Sequence, residues 1–286
     1  MMSQTDLQNG AVAVSVSGGK DSAAACLLLR ELAIPHRRVF ADTGWEHPAT
    51  YDYIRGELAR VVGPIEEISG PRGMAELVRS KGMFPSRTRR FCTSELKAKP
   101  LNTWARAAGL DAFALGIRAA ESASRAAMAE WEWSADADAW TWRPLLAWTE
   151  ARVFAIHKRH GLAPNPLYLR GASRVGCYPC IFSRKAEIRR IADADPARIE
   201  AIRTLEGEAD AASLARHEAR GEDRAEVGHT RPTFFQAPIR EAGEWPIDRV
   251  VTWARTAHGG RQLELFQPPP GADGCARWGL CESEPE

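Results

Sequence analysis

The sequence predicts an α/β fold, a doubly wound and mostly parallel sheet followed by a helical C-terminal extension and a tail. Short β-branched and apolar runs alternate with helical segments, and this order favours a parallel sheet with helices on both faces. A glycine-rich turn, SGGKDS, joins a strand to a helix near the start of the chain. Ligands of such sheets bind at the carboxyl ends of the strands, so we expect the functional site there.

The stretch VAVSVSGGKDSAAACLLLREL changes its pattern at the two glycines. Residues 12–16 alternate as in a strand, and their valines suit a pleated surface. Gly18 and Gly19 break the alternation, because glycine permits positive φ and a close approach of the backbone to a ligand. From Asp21 onward, small and apolar residues predict a helix that is buried over most of its surface.

The following elements are predicted from the same signals. Strands are expected at Arg38–Ala41, in PIEEIS and in LDAFALGIR, and a helix at Pro48–Leu58. WTWRPLL predicts a strand or turn, followed by a helix with Thr149 as N-cap and Gly161 as C′ residue.

The C-terminal part has a different composition. From Ile181 to about Ala219 the sequence is helical and charge-rich, which predicts a solvated helical pair divided near Pro196. PIDRVVTWARTAH predicts one more helix, and the last residues are rich in glycine and proline. We therefore predict an α/β domain over residues 1–185, a helical extension over 186–260 and a flexible, cysteine-containing tail over 261–286.

Composition and charge narrow the possible partners and the compartment. The 286 residues include 38 Lys and Arg against 37 Asp and Glu, a formal net charge of +1. This balance gives no global reason to expect nucleic acid or an anionic membrane, although local patches remain open. No apolar run of about 18 residues is present, and MMSQTDLQNG lacks the pattern of a secretory signal. We expect a cytoplasmic protein with no membrane partner.

The chain has six cysteines. In a reducing compartment they are expected to be ligands, redox thiols or buried apolar residues rather than a disulfide framework. Cys26 lies within the apolar helix and is expected in the core. Cys177 and Cys180 form a C-x-x-C, which is compatible with a redox pair, half of a zinc site or half of an iron–sulfur site.

The glycine turn has the chemistry of an anion site. A strand, a glycine turn and a helix N-terminus aim backbone N–H groups at one point, which favours an anion and usually a phosphate. Lys20 adds a positive charge, and Ser17 and Ser22 add hydroxyls. The spacing of a Walker A loop is absent. The alternative is an ordinary βα turn in which the glycines only form the corner.

The loop resembles the SGGKDS signature of the PP-loop ATP pyrophosphatases. Four further segments and the C-x-x-C segment follow it in the order of phosphoadenylylsulfate (PAPS) and adenylylsulfate (APS) reductases: ADTGWEHPATY, RRFCTSELKAKPL, GIRAAESASRA, WRPLLAWTEARVFAIHKRHGLAPNPLYLRG and RVGCYPC. The chain is therefore identified as a member of the PAPS/APS reductase family over about Val12 to Lys185. RFCTSELKAKP and GCYPC look most like the PAPS-reductase-like proteins of DNA phosphorothioation systems and mobile elements.

The resemblance implies an adenine nucleotide, either ATP or APS/PAPS, with Mg²⁺ as a further candidate. Its implied binding residues are Ser17, Gly18, Gly19, Lys20, Asp21, Ser22, Asp42, Thr43, Gly44, Gly116, Arg118 and Arg125. The planar fork of arginine suits an oxyanion, although both arginines could also be ordinary surface residues. Lys20 and Asp21 are the implied catalytic groups in this loop, whereas His47 is expected to pack or cap a helix.

The resemblance also implies a [4Fe–4S] cluster. Its implied ligands are Cys92, Cys177 and Cys180, and Phe91 stands where cluster-containing APS reductases have another cysteine. The fourth iron could be open to sulfide or held by a tail residue, for which we choose Cys275. Zinc held by three thiolates and a further ligand is the main rival, and a metal-free protein is the third alternative.

The tail departs from the family pattern. Sulfonucleotide reductases carry a C-terminal E-C-G-L-H segment with a nucleophilic cysteine, and this chain has CARWGLCE instead. Cys275 and Cys281 could be a redox dithiol, extra cluster ligands or exposed thiols without a role. Cys281 is our candidate nucleophile for the reductase reaction.

Three functions remain open at this point. The first is ATP-dependent activation of an acceptor followed by sulfur insertion, with a sulfur donor as partner and a nucleic acid as a possible acceptor. The second is reduction of APS or PAPS to sulfite by a thioredoxin-like reductant, and the third is a non-catalytic nucleotide- and cluster-binding subunit. A basic rim that could meet nucleic acid comprises Arg87, Arg89, Arg90, Arg184 and Lys185. A homodimer is compatible with the resemblance.

Overall fold

The computed structural model describes residues 2–223, 228–236, 244–256 and Trp278. The chain divides into two compact units, of which the first comprises Met1–Gly70, Glu95–Tyr178 and Pro268–Glu286. The second comprises Pro71–Ser94 and Pro179–Gln267. The boundaries predicted at residues 185 and 260 remain a prediction.

A six-stranded sheet with the order β3-β2-β1-β4-β6-β5 forms the centre of the first unit. Its strands are β1 (Val12–Val16), β2 (Arg37–Asp42), β3 (Glu66–Ser69), β4 (Ala112–Leu115), β5 (Trp131–Ser134) and β6 (Ala139–Trp142). All neighbouring strands run parallel except β5 and β6, which are antiparallel. The predicted doubly wound, mostly parallel α/β fold is confirmed.

Some of the helices connect the strands of the sheet, and others form the second unit. The helices are α1 (Gln4–Asn9), α2 (Lys20–Glu31), α3 (Pro48–Tyr53), α4 (Ala59–Val62), α5 (Met74–Lys81), α6 (Phe91–Thr93), α7 (Lys99–Ala107), α8 (Ala123–Ala126), α9 (Glu150–Arg159), α10 (Pro166–Leu169), α11 (Lys185–Ala194), α12 (Pro196–Ala219) and α13 (Ile247–Ala254). π-helical turns over Ile54–Leu58 and Ser94–Ala98 join α3 to α4 and α6 to α7. None of the helices within the described ranges is long and apolar enough to cross a membrane.

The two faces of the sheet bury separate apolar clusters. Val14 of β1 and Leu27 of α2 lie in the larger cluster, and both are completely buried. Val39 of β2 and Ala105 of α7 lie in the smaller cluster on the other face of the sheet. Because successive side chains of a strand point to opposite faces, β1, β2 and β4 each contribute to both clusters. Cys26 is 1% exposed in the larger cluster, as the sequence predicted.

The helical unit is organised around one buried carboxylate. Glu206 of α12 is fully buried and accepts the backbone N–H groups of Phe234 and Ile247, at 2.9 and 3.0 Å. Burial raises the pKa of this carboxyl group above its ordinary value. A buried carboxylate that receives two N–H groups fixes the segment around Phe234 and the start of α13, because losing either bond would leave an unpaired polar group.

Most predicted elements are present, with differences at their ends. Thr149 caps α9 as expected, and its hydroxyl accepts the N–H of Arg152. Gly161 follows α9 with a φ of +60°, and α11 and α12 meet at Pro196 as predicted. The hairpin of β5 and β6 was not predicted as such, because strand pairing depends on contacts that local sequence patterns do not contain.

Candidate functional site

The SGGKDS turn lies at the carboxyl end of β1, where the fold class places a ligand site. β1 ends at Val16 and α2 begins at Lys20, so the turn occupies three residues. Gly18 has a φ of +69°, and a Cβ built there would lie 2.8 Å from Cγ2 of Thr50. Both its conformation and its contact with α3 therefore require glycine at this position.

Two serine hydroxyls hold the turn in shape. The Ser22 hydroxyl donates to the carbonyl of Gly19 at 3.0 Å and accepts the backbone N–H of Ser17 at 3.1 Å. The Ser17 and Ser22 hydroxyl oxygens are 3.2 Å apart. The predicted hydroxyls are thus next to each other at the N-terminus of α2, where the first N–H groups lack intrahelical acceptors.

Three polar side chains from later in the sequence support the backbone of the turn. The N–H of Lys20 donates to Oη of Tyr168 at 3.1 Å, and Nε2 of His157 is 2.8 Å from the Lys20 carbonyl oxygen. Nδ2 of Asn165 donates to the carbonyl of Gly18 at 3.2 Å. These roles were not predicted from the sequence, since only folding brings the three side chains to residues 18–20.

His157 is neutral in this arrangement. Its Nε2 must carry the proton, because a carbonyl oxygen can only accept. Burial lowers the pKa of His157 below its ordinary value. Nδ1 is buried as well, so protonating it would place a charge in the interior.

The charged side chains of the site form a mostly buried chain. Asp21 lies between two cations: its Oδ1 is 2.5 Å from Nε of Arg118, and its Oδ2 is 3.5 Å from Nζ of Lys20. Nζ of Lys20 is also 3.4 Å from Glu150 Oε1. Lys20 and Arg118 are 8% and 7% exposed, whereas Glu150 is 34% exposed. Two cations are therefore fixed at the start of α2 by carboxylates that neutralise them.

Gly116 is the contact between the end of β4 and α2. A Cβ at Gly116 would lie 2.5 Å from the carbonyl oxygen of Asp21 and 2.6 Å from Cα of Ser22. Backbone atoms cannot move aside as the end of a flexible side chain can. The glycine therefore permits the close packing that brings Arg118 to Asp21.

Arg125 is linked to this group through one carboxylate. Oε2 of Glu121 accepts the backbone N–H of Arg118 at 2.9 Å and pairs with the guanidinium of Arg125. Arg125 is partly exposed, and it remains a predicted site residue.

The loop after β2 is held by its own side chains. Oδ1 of Asp42 accepts the N–H of Gly44 at 2.8 Å and the hydroxyl of Tyr51 at 2.6 Å. The hydroxyl of Thr43, which is buried, lies 2.8 Å from both carboxylate oxygens of Glu46. Burial and these carboxylates raise the pKa of Tyr51 far above its ordinary value, so its hydroxyl keeps its proton.

His47 has the capping role that the sequence analysis expected. Its Nδ1 accepts the N–H of Ala49 at 3.0 Å at the start of α3. Its ring lies 4.6 Å from the ring of Tyr178 in an edge-to-face arrangement. Nδ1 is therefore occupied by the helix cap.

Comparison with known proteins assigns this chain to a family. The family model of the phosphoadenosine phosphosulfate reductase domain matches residues 11–183 of this chain. The chain belongs to the phosphoadenosine phosphosulfate reductase family. The match covers all strands and the SGGKDS turn, and the resemblance seen in the sequence is confirmed.

Relatives of this PAPS reductase family member include phage and bacterial proteins. An uncharacterized 37.8 kDa protein of Escherichia phage 186 is 34% identical over 94% of this chain and 96% of its own length. The adenosine 5'-phosphosulfate reductase of Allochromatium vinosum is 28% identical over 63% of this chain and 72% of its own. A crystal structure of PAPS reductase from Candida auris, a phosphate complex, has 19% sequence identity and a TM-score of 0.48, covering 63% of this chain and 90% of that one. The family is one of sulfonucleotide reductases, which places this chain among enzymes of sulfur metabolism.

The predicted cysteine ligands of this family member are distributed over both units. Cys177 belongs to the first unit and forms a β-bridge with Glu46, while the N–H of Tyr178 donates to the Trp45 carbonyl at 2.8 Å. Cys92 and Cys180 belong to the second unit, and all three cysteine side chains are half-buried. Cys177 is thus held beside the loop that follows β2.

The described residues do not form a metal site. Within them, no group of three or more His, Cys, Asp or Glu side chains is arranged to hold a metal ion. Cys275 and Cys281 lie outside the described residues. The iron–sulfur ligand set remains a prediction.

Proposed function

We propose that this chain is an enzyme that binds an adenine nucleotide at the SGGKDS turn and uses it for sulfur chemistry. ATP-dependent activation of an acceptor, followed by sulfur insertion, is the first reaction that we propose. The observation that carries the proposal is the pair of cations, Lys20 and Arg118, held on either side of Asp21 at the N-terminus of α2.

Anion binding follows from the residues of the turn. The first N–H groups of α2 and the positive end of its dipole favour phosphate or sulfate oxygens. Lys20 and Arg118 add positive charge, and Asp21 limits the motion of both side chains. Glu150 is the most exposed member of the group, so it can move away from Lys20 when an anion takes its place.

The proposed reaction has two displacements. An acceptor oxygen attacks the α-phosphorus of ATP, the bond to pyrophosphate breaks, and an adenylated acceptor forms. Hydrosulfide then attacks the acceptor, the bond to oxygen breaks, and AMP leaves with that oxygen. The cations at the turn stabilise the negative charge that develops on the transferring and departing phosphates.

Two features of the sequence favour insertion over reduction. Phe91 replaces a cysteine beside Cys92, and the tail lacks the E-C-G-L-H segment of sulfonucleotide reductases. The proposed cluster would be held by Cys92, Cys177 and Cys180 with Cys275 as a fourth ligand, and it would supply a binding place for sulfide.

Reduction of APS or PAPS is the second candidate. The similarity to proteins named adenosine 5'-phosphosulfate reductase favours it. In that reaction a thiolate, for which Cys281 is the candidate, attacks the sulfate sulfur and the S–O bond to the nucleotide breaks. AMP leaves from APS, and adenosine 3',5'-bisphosphate leaves from PAPS. A second thiol from a thioredoxin-like reductant then releases sulfite and forms a disulfide.

Exposed basic residues of the second unit support a nucleic acid as acceptor. Arg87, Arg89, Arg90 and Arg184 are exposed, and the guanidinium of Arg90 lies 4.6 Å from the centre of the Phe182 ring. Such side chains can neutralise backbone phosphates, and binding would then weaken as salt is raised.

The decisive experiment offers ATP, APS and PAPS separately to anaerobically purified protein with a dithiol. The binding constants, pyrophosphate and sulfite are measured. Lys20→Ala is the test variant, and Lys99→Ala is the matched control because Lys99 is an exposed lysine paired with Glu95 in the first unit. We expect ATP to bind and to be split slowly to pyrophosphate, with binding weakened in Lys20→Ala and unchanged in Lys99→Ala.

Each outcome decides between the candidates. Sulfite from APS or PAPS would establish the reductase and overturn the insertion reaction. No binding of any of the three nucleotides, or equal binding by Lys20→Ala and the wild type, would overturn the nucleotide site.

A further inference from the structure

Trp278 is an aromatic residue of the C-terminal segment that packs within the first unit. It is 8% exposed. Its ring centre lies 4.5 Å from that of Phe154, 5.0 Å from that of His157 and 5.7 Å from that of Tyr168. An indole surrounded by three rings at such distances has the contacts of a core residue.

Two of these three rings hold the backbone of Lys20. His157 bonds the Lys20 carbonyl and Tyr168 accepts the Lys20 N–H. Trp278 also shares the wall of a small cavity with Lys20 and Glu150. Its indole therefore lies against the side chains that determine where the SGGKDS turn is placed.

We propose that Trp278 is a positioning residue of the nucleotide site, which anchors the C-terminal segment to the rings that hold Lys20. This inference rests on the proposed nucleotide binding at the turn. Removing the indole leaves a space between Phe154, His157 and Tyr168, and the two rings that bond Lys20 then lose a packing partner. The turn is less preorganised for an anion, and nucleotide affinity falls.

The coupling acts in both directions. If the anchored indole strengthens nucleotide binding by some factor, bound nucleotide strengthens anchoring by the same factor. The anchoring of Trp278 then responds to whether the proposed nucleotide site is occupied.

The anchoring of Trp278 can be measured by the rate of trypsin cleavage after Arg277, because this bond immediately precedes Trp278. When opening is fast, the rate of this cleavage follows the fraction of molecules with the indole released. Phe154→Ala removes a contact of the indole without changing the cleaved sequence. Trp278→Ala and Trp278→Phe change the indole itself, and Trp133→Ala is the control because Trp133 is 49% exposed.

We expect Trp278→Ala to weaken ATP binding roughly five- to tenfold, with Trp278→Phe between it and the wild type. Trp133→Ala should bind ATP as the wild type does. Saturating ATP should slow wild-type cleavage after Arg277 by about the factor that Trp278→Ala loses in affinity. Phe154→Ala should speed this cleavage without nucleotide.

The measurements distinguish failure of the positioning role from failure of the anchor and from failure of the proposed function. Wild-type ATP affinity in Trp278→Ala, or cleavage after Arg277 that ATP does not change in a protein that binds ATP, would overturn the positioning role. Cleavage in Phe154→Ala at the wild-type rate would overturn the anchor itself. Absence of binding of ATP, APS and PAPS in the wild type would instead overturn the proposed function, while the Phe154→Ala comparison would still test the anchor.

Discussion

Nε of Arg118 lies 2.5 Å from Oδ1 of Asp21, although 97 residues separate them in the sequence. The pair connects the segment after β4 to the first turn of α2, and both side chains are mostly buried. Removing one partner would leave the other charge in a poorly solvated place, which costs more than the loss of an exposed pair. The orientation of Asp21, and through it of Lys20, therefore depends on Arg118.

Replacing either partner of this pair should destabilise the protein. We expect Arg118→Ala to lower the free energy of unfolding by about 3 kcal/mol, because Asp21 is left without its nearest cation. Urea unfolding followed by circular dichroism measures this change. The double variant with Asp21→Ala should lose less than the sum of the single variants, since the unpaired charge is gone.

Arg37→Ala is the matched control for that series. Arg37 pairs with Glu66 at 2.6 Å, but the two side chains are 47% and 42% exposed. We expect a loss of at most about 1 kcal/mol. Equal losses for Arg37→Ala and Arg118→Ala would show that burial of the Asp21 pair has no special consequence.

Gly116→Ala should disturb both stability and nucleotide binding. The added Cβ would lie 2.5 Å from the carbonyl oxygen of Asp21, so the first turn of α2 must shift. We expect a loss of about 1–3 kcal/mol in unfolding free energy, together with weaker ATP binding. Calorimetric titration and urea unfolding measure the two effects.

Gly56→Ala is the matched control for Gly116→Ala, because it also replaces a glycine with alanine. Gly56 lies in the π-helical turn after α3, and no atom lies within 4 Å of a Cβ built there. Because alanine is a better helix former, we expect stability to rise by up to about 1 kcal/mol without a change in ATP affinity. Wild-type affinity in Gly116→Ala would refute the close-packing argument.

Stability should depend on pH through His157. Burial lowers the pKa of this imidazole in the folded protein from its ordinary value of 6.5, and Asp21 and Lys20 act on it in opposite directions. The unfolded chain therefore binds more protons between the two pKa values, and stability rises with pH there. The contribution is complete above pH 6.5 and is lost as the pH falls through the lower folded pKa.

His157→Gln provides the comparison, because its amide can still donate to the Lys20 carbonyl but does not titrate. Urea midpoints measured from pH 5 to 8 should fall less steeply below about 6.5 in this variant than in the wild type. His36, whose pKa is also lowered by burial, contributes equally to both proteins and cancels in the difference. Parallel curves would contradict the assignment to His157.

Replacing the predicted cluster ligands should remove iron. We expect Cys92→Ser, Cys177→Ser and Cys180→Ser to lose most of the iron and sulfide of anaerobically purified protein, because thiolates are the ligands of such clusters. Cys26→Ala should keep its iron, since Cys26 is buried in the apolar cluster. Full iron content in Cys177→Ser would show that the ligand prediction is wrong.

Some parts of the site could be predicted from local patterns. The turn over Ser17 to Ser22 was found because a strand, two glycines and a helix start are adjacent in the sequence. The Thr149 cap could also be predicted locally, because a threonine directly precedes the helix that begins at Glu150. The family motifs then identified Gly116 and Arg118, although the sequence could not show that both contact Asp21.

Other parts depended on contacts between distant segments. Tyr168, His157 and Asn165 carry no local signal of their role, yet each bonds the backbone of residues 18–20. In the C-terminal tail only the cysteines were predicted to have a role, whereas the indole of Trp278 packs against the rings of Phe154 and His157.

The sequence by itself determined the family, the parallel α/β fold and the position of the glycine turn, because periodicity, glycines and motif order are properties of neighbouring residues. The tertiary structure decided which side chains hold that turn, which carboxylates neutralise Lys20 and Arg118, and that Trp278 packs against His157. These relationships arise from packing between segments far apart in the chain, where the burial and pairing of each group depend on all of its neighbours.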